Sequence, residues 1–347
     1  MRLSSFVARI VEAAILAAIV FVAFCPSAKS QQASRSYALP HGDYEVEHFA
    51  VSASGDSILF MSTPNKDDGS KSVYFLNGKS GVVKKLLTGP NAAVFSAPGS
   101  HPFVILADPN LYFVQDDGTI SAPIQVSNLD DSLGWSHDGS SLIFTMDRPK
   151  VKKDSEAYNE TGFTALGVLD VPTQKVRPIS VKLPAYHFYV LQSNDKIFVM
   201  DNSMDIDKPL MVDVYDLKGK HLETRTDLYG IIFSPTGRYY LPFIFEAGLA
   251  FKIRDGSNNR AVLSYPNDGT EEVAEPRWNP RDDTLLLVTH TVTDDKGNTT
   301  SQRLDVLGIP SGRVVKSFPY GIAQWTPDGK SVVVYRGGQF VFERIAP

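Results

Sequence analysis

With 347 residues, 43% of them hydrophobic and 21% charged, the chain has the make-up of an ordinary globular protein, neither disordered nor fibrous. Its net charge of -5 argues against a nucleic-acid partner, which selects basic faces. A lone cysteine, Cys25, leaves no pair for a disulfide and no cysteine-based metal site.

The first element, residues 1–30, reads as a targeting segment. Arg2 and Arg9 supply positive charge, and Ala13 to Cys25 form an unbroken apolar run. As a helix that run spans roughly 20 Å, short of the ~30 Å hydrocarbon core of a bilayer. Ala28-Lys29-Ser30 places small residues three and one before Gln31, so cleavage is expected there. An uncleaved anchor is the alternative and would be the one membrane attachment. Phe24 is too bulky to precede a lipidated Cys25. Export of a large chain without disulfides points to a bacterial periplasm or other extracytoplasmic compartment.

From residue 31 onward one unit recurs: an apolar or aromatic anchor, a small polar residue, a Gly-containing turn, then a β-rich run. It appears as Val51-Ser52-Ala53-Ser54-Gly55 and Phe95-Ser96-Ala97-Pro98-Gly99. Trp135-Ser136-His137-Asp138-Gly139 follows, then a degenerate copy at Leu191-Gln192-Ser193-Asn194-Asp195. The last three are Phe233-Ser234-Pro235-Thr236-Gly237, Trp278-Asn279-Pro280-Arg281-Asp282 and Trp325-Thr326-Pro327-Asp328-Gly329. Anchor spacings of 44, 40, 56, 42, 45 and 47 match the period of about 40–50 residues of four-stranded propeller blades. The expected fold is all-β: one seven-bladed β-propeller of four-stranded blades over residues 31–347, with six or eight blades fitting less well. The last unit holds three strands, through Phe340-Val341-Phe342-Glu343-Arg344. The extended segment Tyr37 to Glu45 is expected to supply the fourth and close the ring, which removes an exposed sheet edge.

Glu275-Pro276-Arg277-Trp278-Asn279-Pro280 and Trp325-Thr326-Pro327-Asp328-Gly329-Lys330 resemble the repeats of TolB C-terminal propellers and their WD-like relatives. The resemblance covers nearly all of residues 31–347 and implies a propeller, not an activity. TolB itself joins a six-bladed propeller to an α/β domain in the periplasmic Tol–Pal system; residues 31–347 leave no room for that domain.

Few motifs carry chemistry. The repeat anchors Phe95, Trp135, Phe233, Trp278 and Trp325 are expected to pack between blades. Gly134-Trp135-Ser136-His137-Asp138-Gly139 is one residue too long for a nucleophile elbow and sits in a blade turn. Gly78-Lys79-Ser80 lacks the leading glycine of a phosphate loop. Asp201 to Asp207 alternates oxygen ligands but lacks the Gly and closing Glu of an EF-hand. The seven histidines show no zinc spacing.

One constellation does follow from the fold. Glu47, Asn91, Asp131, His187 and Tyr229 each stand four residues before an anchor, where a blade's innermost strand begins beside the channel mouth. They are expected to share a polar binding ring, which breaks at Ala274 and Gly321. The same face carries the longest connections, Pro64 to Lys71, Asp147 to Gly162 and His290 to Gln302. The second offers Arg148, Lys150, Lys152, Lys153 and Tyr158 as a loop-face binding surface. The expected function is a monomeric, non-catalytic scaffold of the cell envelope, without cofactor, that binds a protein, peptide or other ligand. The alternative is a metal-dependent hydrolase or lactonase holding Ca²⁺ through Glu47, Asn91 and Asp131.

Overall fold

The computed structural model describes residues 35–40, 44–62, 70–89, 92–97, 103–107, 110–126, 134–136, 138–146, 165–179, 188–193, 196–201, 211–225, 231–242, 249–266, 271–294, 296 and 298–345. Ser36–Pro347 forms one compact unit. No described residue is helical, so no described helix is long and apolar enough to cross a membrane.

After β1 (Arg35–Ala38), the chain builds each blade from the axis outward. Blade 1 is β2 (Val46–Val51), β3 (Ser57–Ser62), β4 (Lys71–Asn77) and β5 (Val82–Gly89). Blade 2 is β6 (Ala92–Ser96), β7 (Phe103–Ala107), β8 (Asn110–Val114) and β9 (Ile124–Gln125). Blade 3 is β10 (Gly134–Trp135), β11 (Ser141–Met146), β12 (Ala165–Asp170) and β13 (Lys175–Ile179). Blade 4 is β14 (Phe188–Ser193), β15 (Lys196–Asp201), β16 (Val212–Asp216) and β17 (His221–Arg225). Blade 5 is β18 (Ile231–Phe233), β19 (Tyr239–Pro242), β20 (Leu249–Asp255) and β21 (Ala261–Pro266). Blade 6 is β22 (Glu271–Trp278), β23 (Leu285–Thr293), β24 (Thr299–Gly308) and β25 (Arg313–Pro319). Blade 7 is β26 (Ile322–Trp325), β27 (Ser331–Arg336) and β28 (Gln339–Arg344), completed by β1 on its outer edge. The protein is a seven-bladed β-propeller.

The closing strand lies earlier than the sequence suggests, at Arg35–Ala38 rather than through Glu45. One further bond, from Leu39 N to Gly338 O at 2.9 Å, ends the pairing. Pro40 follows and has no N–H to extend it. The expected long connection from His290 to Gln302 is likewise mostly strand, since β23 and β24 pair from Thr293↔Thr299 inward. The β-branched residues Thr291, Val292, Thr293, Thr299 and Thr300 account for that extension.

The core is a ring of seven seams, one between each pair of neighbouring blades. Val73 and Phe75 of blade 1 meet Val94 and Ile105 of blade 2, while Val104 and Phe113 of blade 2 meet Leu142 and Phe144 of blade 3. Val168 meets Ile197 across the third seam, and Phe198 meets Tyr240 across the fourth. Ile253 packs with Leu286, and Val306 with Val332, before Phe340 and Val333 close on Phe49 and Phe60. Strand alternation explains this arrangement: successive side chains face opposite blades, so both faces of each sheet must be apolar.

The repeat signature is a hydrogen-bonded device. In Ser136-to-Gly139, Ser136 Oγ accepts from Ser141 N at 2.9 Å and donates to Asp138 Oδ1 at 2.7 Å. Thr326 repeats both bonds with Ser331 and Asp328, at 3.1 and 2.6 Å. Gly329 ends its turn at φ 70°, a left-handed value that suits a residue without Cβ, and its carbonyl accepts from Asn279 Nδ2 of the preceding blade at 2.7 Å. The degenerate fourth unit keeps the same register. Leu191 faces Phe198 seven residues on, as Trp135 faces Leu142 and Trp325 faces Val332.

Candidate functional site

Each inner strand has a hydrogen-bonded neighbour on one side only, so its other edge borders the central channel with unpaired backbone groups. Side chains of the following blade cover several of these groups. Trp278 Nε1 donates to Ile232 O, and Trp325 Nε1 donates to Arg277 O, both at 3.1 Å. Ser96 Oγ takes Val51 N at 3.0 Å and gives to Val51 O at 2.9 Å. Trp278 and Trp325 therefore pack in seams as expected and also satisfy the channel edge. Trp135 and Phe233 pack against their seams partly buried, and Phe95 is half-buried.

At blades 6, 7 and 1 this edge becomes a polar wall. In β22 the register moves from Ala274↔Thr289 to Arg277↔Leu287, which inserts one extra residue around Glu275-Pro276. Pro276 cannot donate to the ladder, so the strand bulges there. Glu275 takes φ 52°, a left-handed value uncommon for a residue with a Cβ. The bulge aims the Arg277 guanidinium across to blade 7, where Nη1 donates to Ala323 O, while Nη2 pairs with Glu275 Oε2 at 2.9 Å. Next along β26, Gln324 Nε2 lies 3.0 Å from His48 Nε2 on β2 of blade 1. The amide N–H is the donor, so His48 accepts through Nε2. β2 is itself bulged at Glu47, between Val46↔Ser62 and His48↔Met61.

Burial holds the His48 pKa below its usual 6.5; the Arg277 and Lys71 charges lower it further, against an opposing pull from Glu47. His48 is thus a neutral hydrogen-bonding group near neutral pH, flanked by a guanidinium and an amide. Such an array can hold a polar ligand by directed hydrogen bonds from three separate blades.

Of the expected channel-mouth ring, the structure places Glu47, on β2, with an ion pair to Lys71 Nζ at 2.9 Å. Asn91, Asp131, His187 and Tyr229 lie outside the described residues, as do Arg148, Lys150, Lys152, Lys153 and Tyr158 of the loop face. Asp201 ends β15, and the rest of the alternating-oxygen run also lies outside. Among the described residues, no group of three or more His, Cys, Asp or Glu is disposed to hold a metal ion. Counting four residues back from each anchor passes over Arg277 and Gln324, which stand one before theirs. A signal for them was present: the five counterparts in the other inner strands, Ala50, Val94, Gly134, Val190 and Ile232, carry no polar side chain.

No protein-family model matches the chain, and no curated protein matches it. Solved structures do. The chain is similar to an oligogalacturonate lyase in complex with manganese, at TM-score 0.53 and 15% identity over 90% of this chain and 91% of that one. It is similar to the Pan2 WD40 domain of Neurospora crassa, at 0.51 and 12%, over 90% and 94%. A third is the β-propeller domain of the Trilobed protease from Pyrococcus furiosus, at 0.52 and 11%, over 78% and 84%. At such identities the likeness is one of fold, and the class is a seven-bladed β-propeller.

Proposed function

We propose that the chain is an exported, extracytoplasmic binding propeller that holds a protein, peptide or other polar ligand at the channel wall of blades 6, 7 and 1. The observation that carries this reading is the convergence of Arg277, Gln324 and His48 from three blades, with bulges in two of the three inner strands. Bulges re-aim side chains and are over-represented beside functional sites. The targeting pattern of residues 1–30 and the TolB-like repeats support a place in the cell envelope.

Cross-linking from envelope extracts would compare the wild type with Gln324→Ala and Arg277→Lys, a fork exchanged for a point charge. Ligand captured by the wild type and lost from both variants, with unchanged melting temperatures, supports the channel wall. Equal capture by all three rejects it. Chelation followed by calcium titration separates the hydrolase reading. Saturable thermal stabilisation that disappears in Asp131→Ala would move the function there.

A further inference from the structure

On the face of the ring that carries the anchor turns, a crevice of about 540 Å³ opens between blades 6 and 7, within the size range of small-ligand sites. Blade 6 lines it with Arg281, Asp282 and Thr284 of the turn between β22 and β23, then with Leu285 and Val315. Blade 7 lines it with Asp328, Gly329 and Lys330 of the turn before β27, with Arg344 of β28 and with Ile345. Leu285 and Ile345 belong to the apolar cluster of this seam, together with Val306, Phe318 and Val332. Val315 is the extra residue of a bulge, where β25 passes from Val314 opposite Leu307 to Lys316 opposite Val306. Bulges re-aim side chains, and this one leaves Val315 47% exposed at the crevice wall.

Three exposed cations, Arg281, Lys330 and Arg344, line this crevice against two acids, Asp282 and Asp328. Both acids are committed to their own turns. Asp282 Oδ1 accepts from Thr284 N at 2.7 Å and from Thr284 Oγ1 at 2.6 Å. Asp328 Oδ1 accepts from Thr326 Oγ1 at 2.6 Å and from Lys330 N at 3.1 Å. Lys330 Nζ, on a side chain 74% exposed, lies 3.9 Å from Asp328 Oδ2, a separation at which an exposed ion pair contributes little. Arg281 is held more firmly. Its Nε donates to Pro327 O across the seam at 3.1 Å, while its Nη groups have no hydrogen-bond or ion-pair partner among the described residues. A guanidinium fixed by one N–H, with its outer N–H groups unclaimed, is a fork that fits a carboxylate.

We propose that this crevice is a second binding site, for a carboxylate carried on an apolar body. The carboxylate takes the Arg281 Nη groups, Lys330 adds a second positive charge, and the body lies against Leu285, Val315 and Ile345. Those aliphatic walls set the ligand apart from a small inorganic anion, which would gain nothing from them. Two sources present this chemistry: the C-terminal residue of a peptide and a free fatty acid. The site shares no residue with the channel wall, so each reading can fail without the other.

The test is calorimetric titration of the whole chain with N-acetylleucine, with octanoate and with N-acetylleucinamide, which has the apolar body without the charge. Saturable binding of at least one carboxylate is expected, and the better of the two identifies the source. The amide should bind about tenfold more weakly than N-acetylleucine, and Arg281→Gln should weaken carboxylate binding by a similar factor, in line with loss of one charged hydrogen bond. Because Arg281 also bonds Pro327 across the seam, an exposed position supplies the second variant. Val315→Glu sets a carboxylate of the chain's own in the crevice and should abolish binding while the fold melts no earlier than wild type. Absence of saturable binding of both carboxylates to the wild type, equal binding of the amide, or equal binding to wild type and Val315→Glu overturns the proposal.

Discussion

His48 sits where two blades meet, and its protonation bears on stability as well as on the proposed binding. Its pKa in the fold is lowered, first by burial and then by Arg277, so folded protein resists a proton that the unfolded chain accepts below about 6.5. The sign is therefore a penalty that opens as pH falls through 6.5 and is complete below the folded value. Melting temperatures followed from pH 7.5 down to about 5 should fall more steeply for wild type than for His48→Gln. The indole of Trp278 gives a second residue-scale prediction. Trp278→Phe keeps most of the ring but strands the Ile232 carbonyl at the channel edge. Urea unfolding should show a loss of about 1–3 kcal/mol, the cost of an unpaired buried polar group plus lost ring contact.

The turn that follows each anchor is the unit from which the blades are made. Asp138 shows its chemistry: the Ser140 backbone N–H and the Ser136 and Ser140 hydroxyls hold its carboxyl down to about 2. A carboxyl depressed in this way stabilises the fold above its ordinary 3.8, and that contribution is lost as pH falls from 3.8 toward about 2. Asp138→Ala should therefore flatten the decline of melting temperature across that window. Because these turns recur through local Ser, Thr, Asp and Gly contacts, they were legible from the sequence, and with them the blade count. Even the degenerate unit at Leu191 keeps its strand register with Phe198. The channel wall was less legible. A bulge shifts a strand by one residue, and nothing in the spacing of Glu47 or Ala274 from their anchors reveals it; Pro276 is the local cue, since it cannot join the ladder. The blade 6–7 crevice was hidden for another reason. Arg281, Val315 and Lys330 come from a turn and an outer strand of blade 6 and a turn of blade 7, and only the packing of the two blades brings them to one crevice.

For the whole molecule, the ring depends on one non-covalent join. Tyr37 meets Phe342 edge-on at 5.5 Å and gives its hydroxyl to Gly55 O at 3.3 Å. Around it, Phe49, Phe60, Tyr44, Tyr74, Tyr335 and Phe340 form a run of stacked, tilted and edge-on rings across the seam of blades 7 and 1. Such aromatic pairs contribute about 0.5–1.5 kcal/mol each beyond their buried area. Removing residues 1–40 should lower the melting temperature and, by baring the edge of β28, promote self-association at high concentration. Thermal scans with size-exclusion chromatography at two protein concentrations would check both effects. An unchanged melt would mean that β1 merely decorates blade 7.

The same join sets an order of events in the life of the chain. Tyr335 reaches Tyr44 across 291 positions, and Gln324 reaches His48 across 276. Contacts so distant in sequence form late and slowly. A polypeptide made from its N-terminus must therefore keep Phe49 and Phe60 unsheltered until nearly its last strands exist. The hydrogen bond between Gln324 and His48 cannot precede that moment, so the proposed channel-wall site is incomplete on any chain still being synthesised.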